Sequence, residues 1–171
     1  ESIESPLFDS CEKAGAGWKR RYADRRRADQ EILMTRHVDP TKSQFGDFMK
    51  LPGDGPIWML NLIRLRKKAK YEDGREATGA EAYAEYARSS ELFFRRAGGK
   101  IVWAGKPEAV VIGPEDERWD MAFIAEYPGA EAFAAMVKDP GYQAIVHHRQ
   151  AAVKTSRLIR MKPGSPGKVF G

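Results

Sequence analysis

Two histidines and an arginine follow one another in the segment "DPGYQAIVHHRQAAV" (139–153), where such side chains could move a proton or bind an anion. On a helix, adjacent residues point about 100° apart, so the imidazoles of His147 and His148 diverge. Metal-binding histidine pairs on helices usually stand four residues apart, and no Asp or Glu lies one turn away to complete a ligand set. We therefore predict no metal site in this segment.

Arg149 is the most unusual residue of the segment because it is a charge in the apolar register. That register comprises Tyr142, Ile145, Val146 and Arg149. It places His147 on the solvent side of the helix and His148 at the edge of the buried face. Arg149 has two interpretations. In the structural one, its aliphatic stem is buried and its head group contacts water, a carboxylate or a chain end. In the functional one, the guanidinium binds an anion at the mouth of a cleft.

Polar and aromatic side chains within other apolar stretches are further candidates. Asn61 lies in the middle of an apolar run, where its amide either finds a partner in the core or points into a cleft and holds a carbonyl or enolate oxygen. Tyr83 and Tyr86 stand at helical spacing, either as core residues or with hydroxyls that line a pocket. Trp103 either packs in the core or stacks on a ligand.

The elements that must position these residues follow from the hydrophobic periodicity. Apolar residues occupy both alternation phases of "IWMLNLIRLR" (57–66), which predicts a strand buried on both faces. A Thr78–Glu81 capping box predicts a helix over 78–99 that Gly98 ends. Three more strands are predicted: one over 100–113 that is interrupted near Gly105 and Pro107, one over 119–127, and a polar edge strand over 153–161. Between the last two, helical segments are predicted over 128–139 and 139–150. The N-cap Asp139 and Pro140 divide these two segments.

This order of strand, helix, strand, strand, helix, strand is that of the ferredoxin-like βαββαβ fold, which is of the α+β class. Right-handed crossovers place both helices on one face of the sheet. Three strands nevertheless have apolar residues in both phases, so the other face also needs a cover. We expect that cover to be a second copy of the same sheet, which gives a homodimer: a dimeric α/β barrel joined through the sheet faces.

The domain organisation that we predict has three parts. Residues 1–56 form an N-terminal extension and linker, residues 57–162 the ferredoxin-like domain, and residues 163–171 a C-terminal tail. The extension contains the charged stretch "WKRRYADRRRADQEIL" (18–33), in which acidic residues interrupt the basic string and no nucleic-acid-binding motif is present. We favour a solvated arm or a helix packed on the partner subunit over a contact with nucleic acid.

The composition indicates a soluble, cytoplasmic protein. The 171 residues carry a formal net charge of +5, which favours anionic partners only weakly. The single cysteine, Cys11, allows no internal disulfide, as is usual in a reducing compartment. No apolar run approaches the roughly 20 residues that span a bilayer, and the N-terminus has no signal-peptide pattern. Phosphate-binding, dinucleotide-binding and nucleophile-elbow motifs are absent from the sequence.

The stretches "AYAEYARSSELFFRRAGGKIVWAGKPEAVVIG" and "AFIAEYPGAEAFAAMVKDPGYQAIVHHRQAAVKTSRLIRM" resemble the domain-of-unknown-function 1330 family over about residues 57–162. The resemblance implies the dimeric α/β-barrel superfamily, whose members include cofactor-free monooxygenases, muconolactone isomerases and haem-degrading enzymes. In such relatives small molecules usually lie in a cleft between the sheet and the helices. The resemblance therefore implies a cleft at that place and a polar Asn on the first strand, here Asn61.

Three functions remain open at the level of the sequence, which does not decide whether the protein is an enzyme, and one of them is an assembly role through the basic arm. The first is a cofactor-independent enzyme, without a bound metal, that acts on a small aromatic or carbonyl-bearing metabolite by proton transfer or oxygenation. The alternative is a non-catalytic small-molecule-binding or regulatory module. The candidate catalytic residues are Asn61, His148 and Arg149, and the candidate substrate-binding residues are Tyr83, Tyr86 and Trp103. An enzyme should bring Asn61, Arg149 and an imidazole to one cavity, whereas a binding module should have a cavity lined by apolar groups alone.

Overall fold

The computed structural model describes residues 37–53, 55–165 and 167. The 18–33 stretch and the single cysteine lie outside the described residues. The elements, in chain order, are α1 (Lys42–Lys50), β1 (Ile57–Leu65), α2 (Gly79–Arg96), β2 (Lys100–Gly105), β3 (Met121–Tyr127), α3 (Ala130–Lys138), α4 (Pro140–Ala152) and β4 (Val153–Met161). No helix among the described residues is both long and apolar enough to cross a membrane.

The four strands form one antiparallel sheet in the order β2-β3-β1-β4. With the helices between them, this is the ferredoxin-like α+β fold that the hydrophobic pattern predicts. β4 lies at an edge, as its polar sequence indicates. At the centre of the sheet Asn61 of β1 stands between Phe123 of β3 and Leu158 of β4.

The helix boundaries follow the local capping chemistry. The Thr78 hydroxyl accepts a hydrogen bond from the Glu81 backbone N–H, and the Glu81 carboxylate accepts one from the Thr78 backbone N–H, so the predicted capping box is present. Gly98 follows α2 with a φ of 70°, in the left-handed region that ends helices. Asp139 accepts hydrogen bonds from two backbone N–H groups at the start of α4, next to Pro140.

Two stretches differ from the sequence-based prediction. Residues 42–50, interpreted as part of a linker, form α1, which has a Thr41–Gln44 capping box and packs Phe48 edge-on against Phe133 of α3 with ring centroids 5.5 Å apart. Residues 106–113, predicted to continue the second strand, are irregular, and β2 ends at Gly105. The strand stops near Pro107, which has no backbone N–H to donate to the hydrogen bonds between strands.

The two faces of the sheet are covered to different extents. Side chains of β1 that point towards the helices, on what we call the helix side, are Ile57, Met59, Asn61 and Ile63, and the three apolar members of this set are buried. Those that point away, on what we call the open face, include Trp58, Leu60 and Leu62, all half-buried. Both alternation phases of β1 are therefore apolar, but the described chain fully covers only one of them.

Candidate functional site

A cleft of about 1380 Å³ lies on the helix side of the sheet. Its floor includes the helix-side residues of β1 and β3, and its walls come from α2, α3 and α4. The segment 37–40 and helix α1 line its remaining side. The cleft therefore occupies the position, between sheet and helices, that the family resemblance implies.

Tyrosine hydroxyls form the main polar group of this cleft. The Oη atoms of Tyr86 on α2 and Tyr142 on α4 are 2.6 Å apart and share a hydrogen bond. Tyr83 lies one helical turn before Tyr86, with ring centroids 5.6 Å apart. Burial raises the pKa of the Tyr83 and Tyr142 phenols well above the ordinary value. These phenols therefore stay protonated at neutral pH and can donate hydrogen bonds, which makes them poor bases.

Asn61 brings an amide to the floor of the cleft. Its Nδ2 donates a hydrogen bond to the backbone carbonyl of Met59, 2.9 Å away. This single bond leaves the Asn61 side chain with hydrogen-bonding capacity that no other described residue takes up. Asn61 is half-buried and lines the cleft, so its amide is both oriented by the strand and within reach of a bound molecule.

Arg149 also lines the cleft, but its head group already has partners. Nη1 donates to the Val38 carbonyl at 2.5 Å and lies 3.4 Å from Asp39 Oδ1, while Nη2 donates to Ser156 Oγ at 3.1 Å. Only 15% of the side chain is exposed. These contacts tie the segment before α1 to β4, which is the structural interpretation of Arg149. Its charge also lowers the pKa of the Tyr83 phenol, against the larger effect of burial.

His148 does not line the cleft and so is not brought together with Asn61 and Arg149. Its Nδ1 lies 2.8 Å from the Tyr71 hydroxyl, in the loop after β1. Burial lowers the pKa of this imidazole, and the neighbouring His147 lowers it further. His148 is half-buried at the edge of α4 and His147 is exposed, as the helical register predicts.

Trp103 likewise lies away from the cleft, on the open face. It pairs with Ile124 of β3, and its side chain is 51% exposed. The sheet register shifts between Ile101 and Trp103, and this irregularity directs Ile101 and Ala104 to the cleft while Trp103 points to the other side. The predicted alternation did not include this shift.

The sequence interpretation missed Tyr142 as a site residue, although it placed Tyr142 in the buried register of α4. A signal was available: the Asp139 cap fixes the start of α4, and the register then places Tyr142 on the same face as Arg149. What the register did not provide is the distance from Tyr142 to Tyr86, which depends on the packing of α4 against α2. Among residues 37–53, 55–165 and 167, no group of three or more His, Cys, Asp or Glu side chains could hold a metal ion.

Comparison with known families identifies the family to which the chain belongs. The family described as "Domain of unknown function (DUF1330)" matches residues 75–161. The chain belongs to this family. The DUF1330 match begins in the loop before α2 and ends at the last residue of β4. It therefore contains the cleft tyrosines, His148 and Arg149, whereas Asn61 lies before it. The cleft tyrosines are Tyr83, Tyr86 and Tyr142. No curated protein matches the chain.

Two crystal structures of one protein resemble this DUF1330 protein over most of their length. The methylated RPA0582 protein is 58% identical, with a TM-score of 0.76, over 79% of this chain and 100% of that chain. The other structure is that of the RPA0582 protein of unknown function from Rhodopseudomonas palustris. It is 57% identical, with a TM-score of 0.73, over 76% of this chain and 98% of that chain. A dimeric protein of unknown function and ferredoxin-like fold from Bacteroides fragilis NCTC 9343 is 12% identical over 63% of this chain and 95% of that chain, with a TM-score of 0.42.

Proposed function

We propose that this DUF1330 protein binds a small aromatic or carbonyl-bearing metabolite in the helix-side cleft. The observation that carries the proposal is the Tyr86–Tyr142 hydroxyl pair, which lines the same cleft as the Asn61 amide. Apolar and aromatic residues surround these groups: Met59, Phe94, Phe123, Phe133 and Val146. A largely apolar pocket with a few polar groups is typical of small-molecule sites, in which the polar groups fix the orientation of the ligand.

Two roles fit such a cleft. As a cofactor-independent enzyme, the protein would carry out proton transfer or oxygenation on the bound molecule, with Asn61 orienting an oxygen and a protonated tyrosine donating a hydrogen bond to charge that develops there. As a non-catalytic binding module, it would hold the molecule unchanged. The position of His148, which bonds to Tyr71, leaves the cleft without the imidazole expected of an enzyme, whereas Asn61 and the tyrosine hydroxyls differ from the wholly apolar lining expected of a binding module.

Thermal-shift measurements on the full chain would test the proposed cleft. The probes are a panel of hydroxylated aromatic ketones and phenolic acids, each at the same concentration. A panel member that raises the melting temperature of the unmodified protein should raise that of Tyr86→Phe and Asn61→Ala less. The matched control is Tyr71→Phe, which removes a tyrosine hydroxyl outside the cleft and should respond like the unmodified protein.

Either of two results would remove the proposed site: no panel member stabilises the protein, or all four proteins respond equally. Mass spectrometry of the stabilising compound after incubation in air separates the two roles. A product that forms with the unmodified protein and not with Tyr86→Phe favours the enzyme, whereas recovery of the unchanged compound favours the binding module.

We also propose that the open face of the sheet binds the same face of a second copy. Four strands contribute to this face its apolar residues Trp58, Leu60, Leu62, Trp103, Ile124 and Ile159, all of them half-buried or exposed. Contiguous apolar surface of this kind is typical of association sites. Sedimentation equilibrium on the full chain should give a homodimer, and a monomer at every concentration tested would contradict the proposal.

A further inference from the structure

The Tyr83 hydroxyl faces the cleft without a partner. Tyr83 is 8% exposed, and no other described residue shares a hydrogen bond with its Oη atom. Within the described part of the chain, Arg66 Nε is the one fully buried side-chain nitrogen or oxygen that lacks a partner. Tyr83 Oη is therefore not sealed in the core but meets the open space of the cleft that Tyr83 lines. Because buried polar groups are seldom left unpaired, this hydroxyl is available to a bound molecule.

The Tyr86–Tyr142 pair provides a second donor beside Tyr83. Two hydroxyls that share one hydrogen bond use one of their two O–H groups, so the other O–H remains to be donated. No third described residue joins this pair through a hydrogen bond. The rings of Tyr83 and Tyr86 have centroids 5.6 Å apart, so the two available O–H groups are neighbours. Together they suit a ligand group that accepts more than one hydrogen bond.

The charge that acts on these hydroxyls is positive. Burial raises the pKa of the Tyr83 and Tyr142 phenols, and Arg149 is the one charged side chain among the described residues that shifts them, downwards. The Arg149 side chain is 15% exposed, whereas its partner Asp39 is 46% exposed and so better screened by water. The acidic residues that line the cleft are all exposed, and they are Asp39, Asp47, Glu91 and Asp120. A negative charge at Tyr83 is therefore favoured by Arg149.

The cleft also has an aromatic end, away from Tyr83. Phe94 stands about 16 Å further along α2 than Tyr83, at the rise of an α-helix. Phe94 and Phe133 both pack edge-on against Tyr127, with ring centroids 5.5 and 5.2 Å from that of Tyr127. All three rings line the cleft. A molecule that holds a charged group at Tyr83 can therefore extend an apolar body towards these rings.

We propose that the ligand of the cleft is a carboxylate with an aromatic body, and that its carboxylate accepts hydrogen bonds from Tyr83 and from the Tyr86–Tyr142 pair. A carboxylate accepts several hydrogen bonds at once, and a charged acceptor makes each of them stronger. Arg149 keeps its contacts with Val38 and Ser156 and acts through its charge. This inference rests on the binding function proposed above, and it names the charged group of the ligand and Tyr83 as the residue that selects it.

Ligand pairs that differ in charge would test this inference. Each phenolic acid of the thermal-shift panel is paired with its primary amide, which has a similar shape and no charge. Isothermal titration calorimetry on the full chain at neutral pH gives the dissociation constant of each. The acid that binds should bind about tenfold more tightly than its amide. Equal affinities, or binding of ketones and amides but of no acid, would overturn the inference and leave the cleft in place. If no panel member binds, both proposals are wrong.

Tyr83→Phe identifies the residue that receives the carboxylate. The substitution removes a hydroxyl that has no partner among the described residues, so the melting temperature without ligand should stay close to that of the unmodified protein. The variant should bind the acid about tenfold more weakly and its amide less so, which lowers the preference for the acid. Tyr71→Phe should keep the preference of the unmodified protein. An unchanged preference in Tyr83→Phe, or an equal loss for acid and amide, would exclude Tyr83 as the selecting residue.

Discussion

The two faces of the sheet are built from the same strands but differ in how they are covered. On the helix side the apolar residues of β1 are buried, and the polar groups Asn61, Tyr86 and Tyr142 line a cleft. On the open face the β1 side chains are half-buried, and Trp103 of β2 is 51% exposed. The first face has a cavity with oriented donors, whereas the second is an apolar surface that the described residues leave without a cover.

This difference follows from the two-residue period of a strand. Successive side chains point to opposite faces, so one strand can supply a site with every second residue and an interface with the residues between. Asn61 and its neighbours Leu60 and Leu62 illustrate this division within three positions. The function that we propose for each face can therefore be tested separately, by substitutions at adjacent positions.

Ile63→Ala should have the largest effect, because it removes a side chain that is 1% exposed and belongs to the core. Such truncations cost about 2–5 kcal/mol of the free energy of unfolding. We expect a loss within that range that is the same at low and high protein concentration, measured by urea denaturation. The comparison is Leu60→Ala on the open face, whose smaller loss should grow with concentration. A loss for Leu60→Ala in dilute solution as large as that for Ile63→Ala would remove the distinction between the faces.

Trp103→Lys should have the next largest effect and should act on association alone. A lysine in a face-to-face interface loses hydration without gaining a partner, so the dimer dissociation constant should rise at least tenfold, or about 1.4 kcal/mol. Because the side chain is already exposed in the single chain, the unfolding of dilute protein should change by less than about 0.5 kcal/mol. Sedimentation equilibrium and urea denaturation give the two values. A variant that unfolds more easily when dilute, yet dimerises normally, would place Trp103 in the core of one subunit.

Tyr86→Phe should cost about 1 kcal/mol of the free energy of unfolding, because it leaves the Tyr142 hydroxyl without its partner. Tyr142→Phe should cost a similar amount. The double variant should cost less than the sum of the two, since each hydroxyl is the partner of the other. A double-mutant cycle by thermal or urea denaturation measures this coupling. Strictly additive losses would mean that the hydroxyls do not bond to each other.

The sequence was sufficient for the features that depend on local chemistry. The Thr78–Glu81 capping box, the left-handed Gly98 and the Asp139 cap each involve residues close together in the chain, and all three were predicted correctly. The order of elements along the chain, βαββαβ, was also predicted correctly from the hydrophobic periodicity. Helix α1 was missed because Gly46 and the surrounding Pro, Gly and Asp residues hide a short apolar stripe of Phe45, Phe48 and Met49.

The position of each candidate site residue depended on contacts distant in sequence. Asn61, Tyr83, Tyr86 and Arg149 line the cleft, but the Tyr71 contact of His148 spans 77 positions, and no periodicity predicts it. The orientation of Trp103 depends on a register shift within β2. A pattern gives the face of a helix or strand on which a residue lies, whereas tertiary packing determines what the residue meets there.

His148→Asn should have the smallest effect of these substitutions. It tests whether the His148 imidazole lies outside the cleft. Burial lowers the pKa of folded His148, so the unfolded chain takes up the proton first as the pH falls. The stabilisation by the neutral ring is therefore complete above the unfolded pKa of about 6.5 and is lost as the pH falls below it, through the lower folded pKa. The melting temperature should accordingly fall less between pH 7 and pH 5 in His148→Asn than in the unmodified protein. His147→Asn removes one of the causes that lower the pKa of His148, so it should give a slope between those of His148→Asn and the unmodified protein. A compound bound in the cleft should raise the melting temperature of His148→Asn as much as that of the unmodified protein. A smaller rise in the variant would mean that His148 contributes to the cleft.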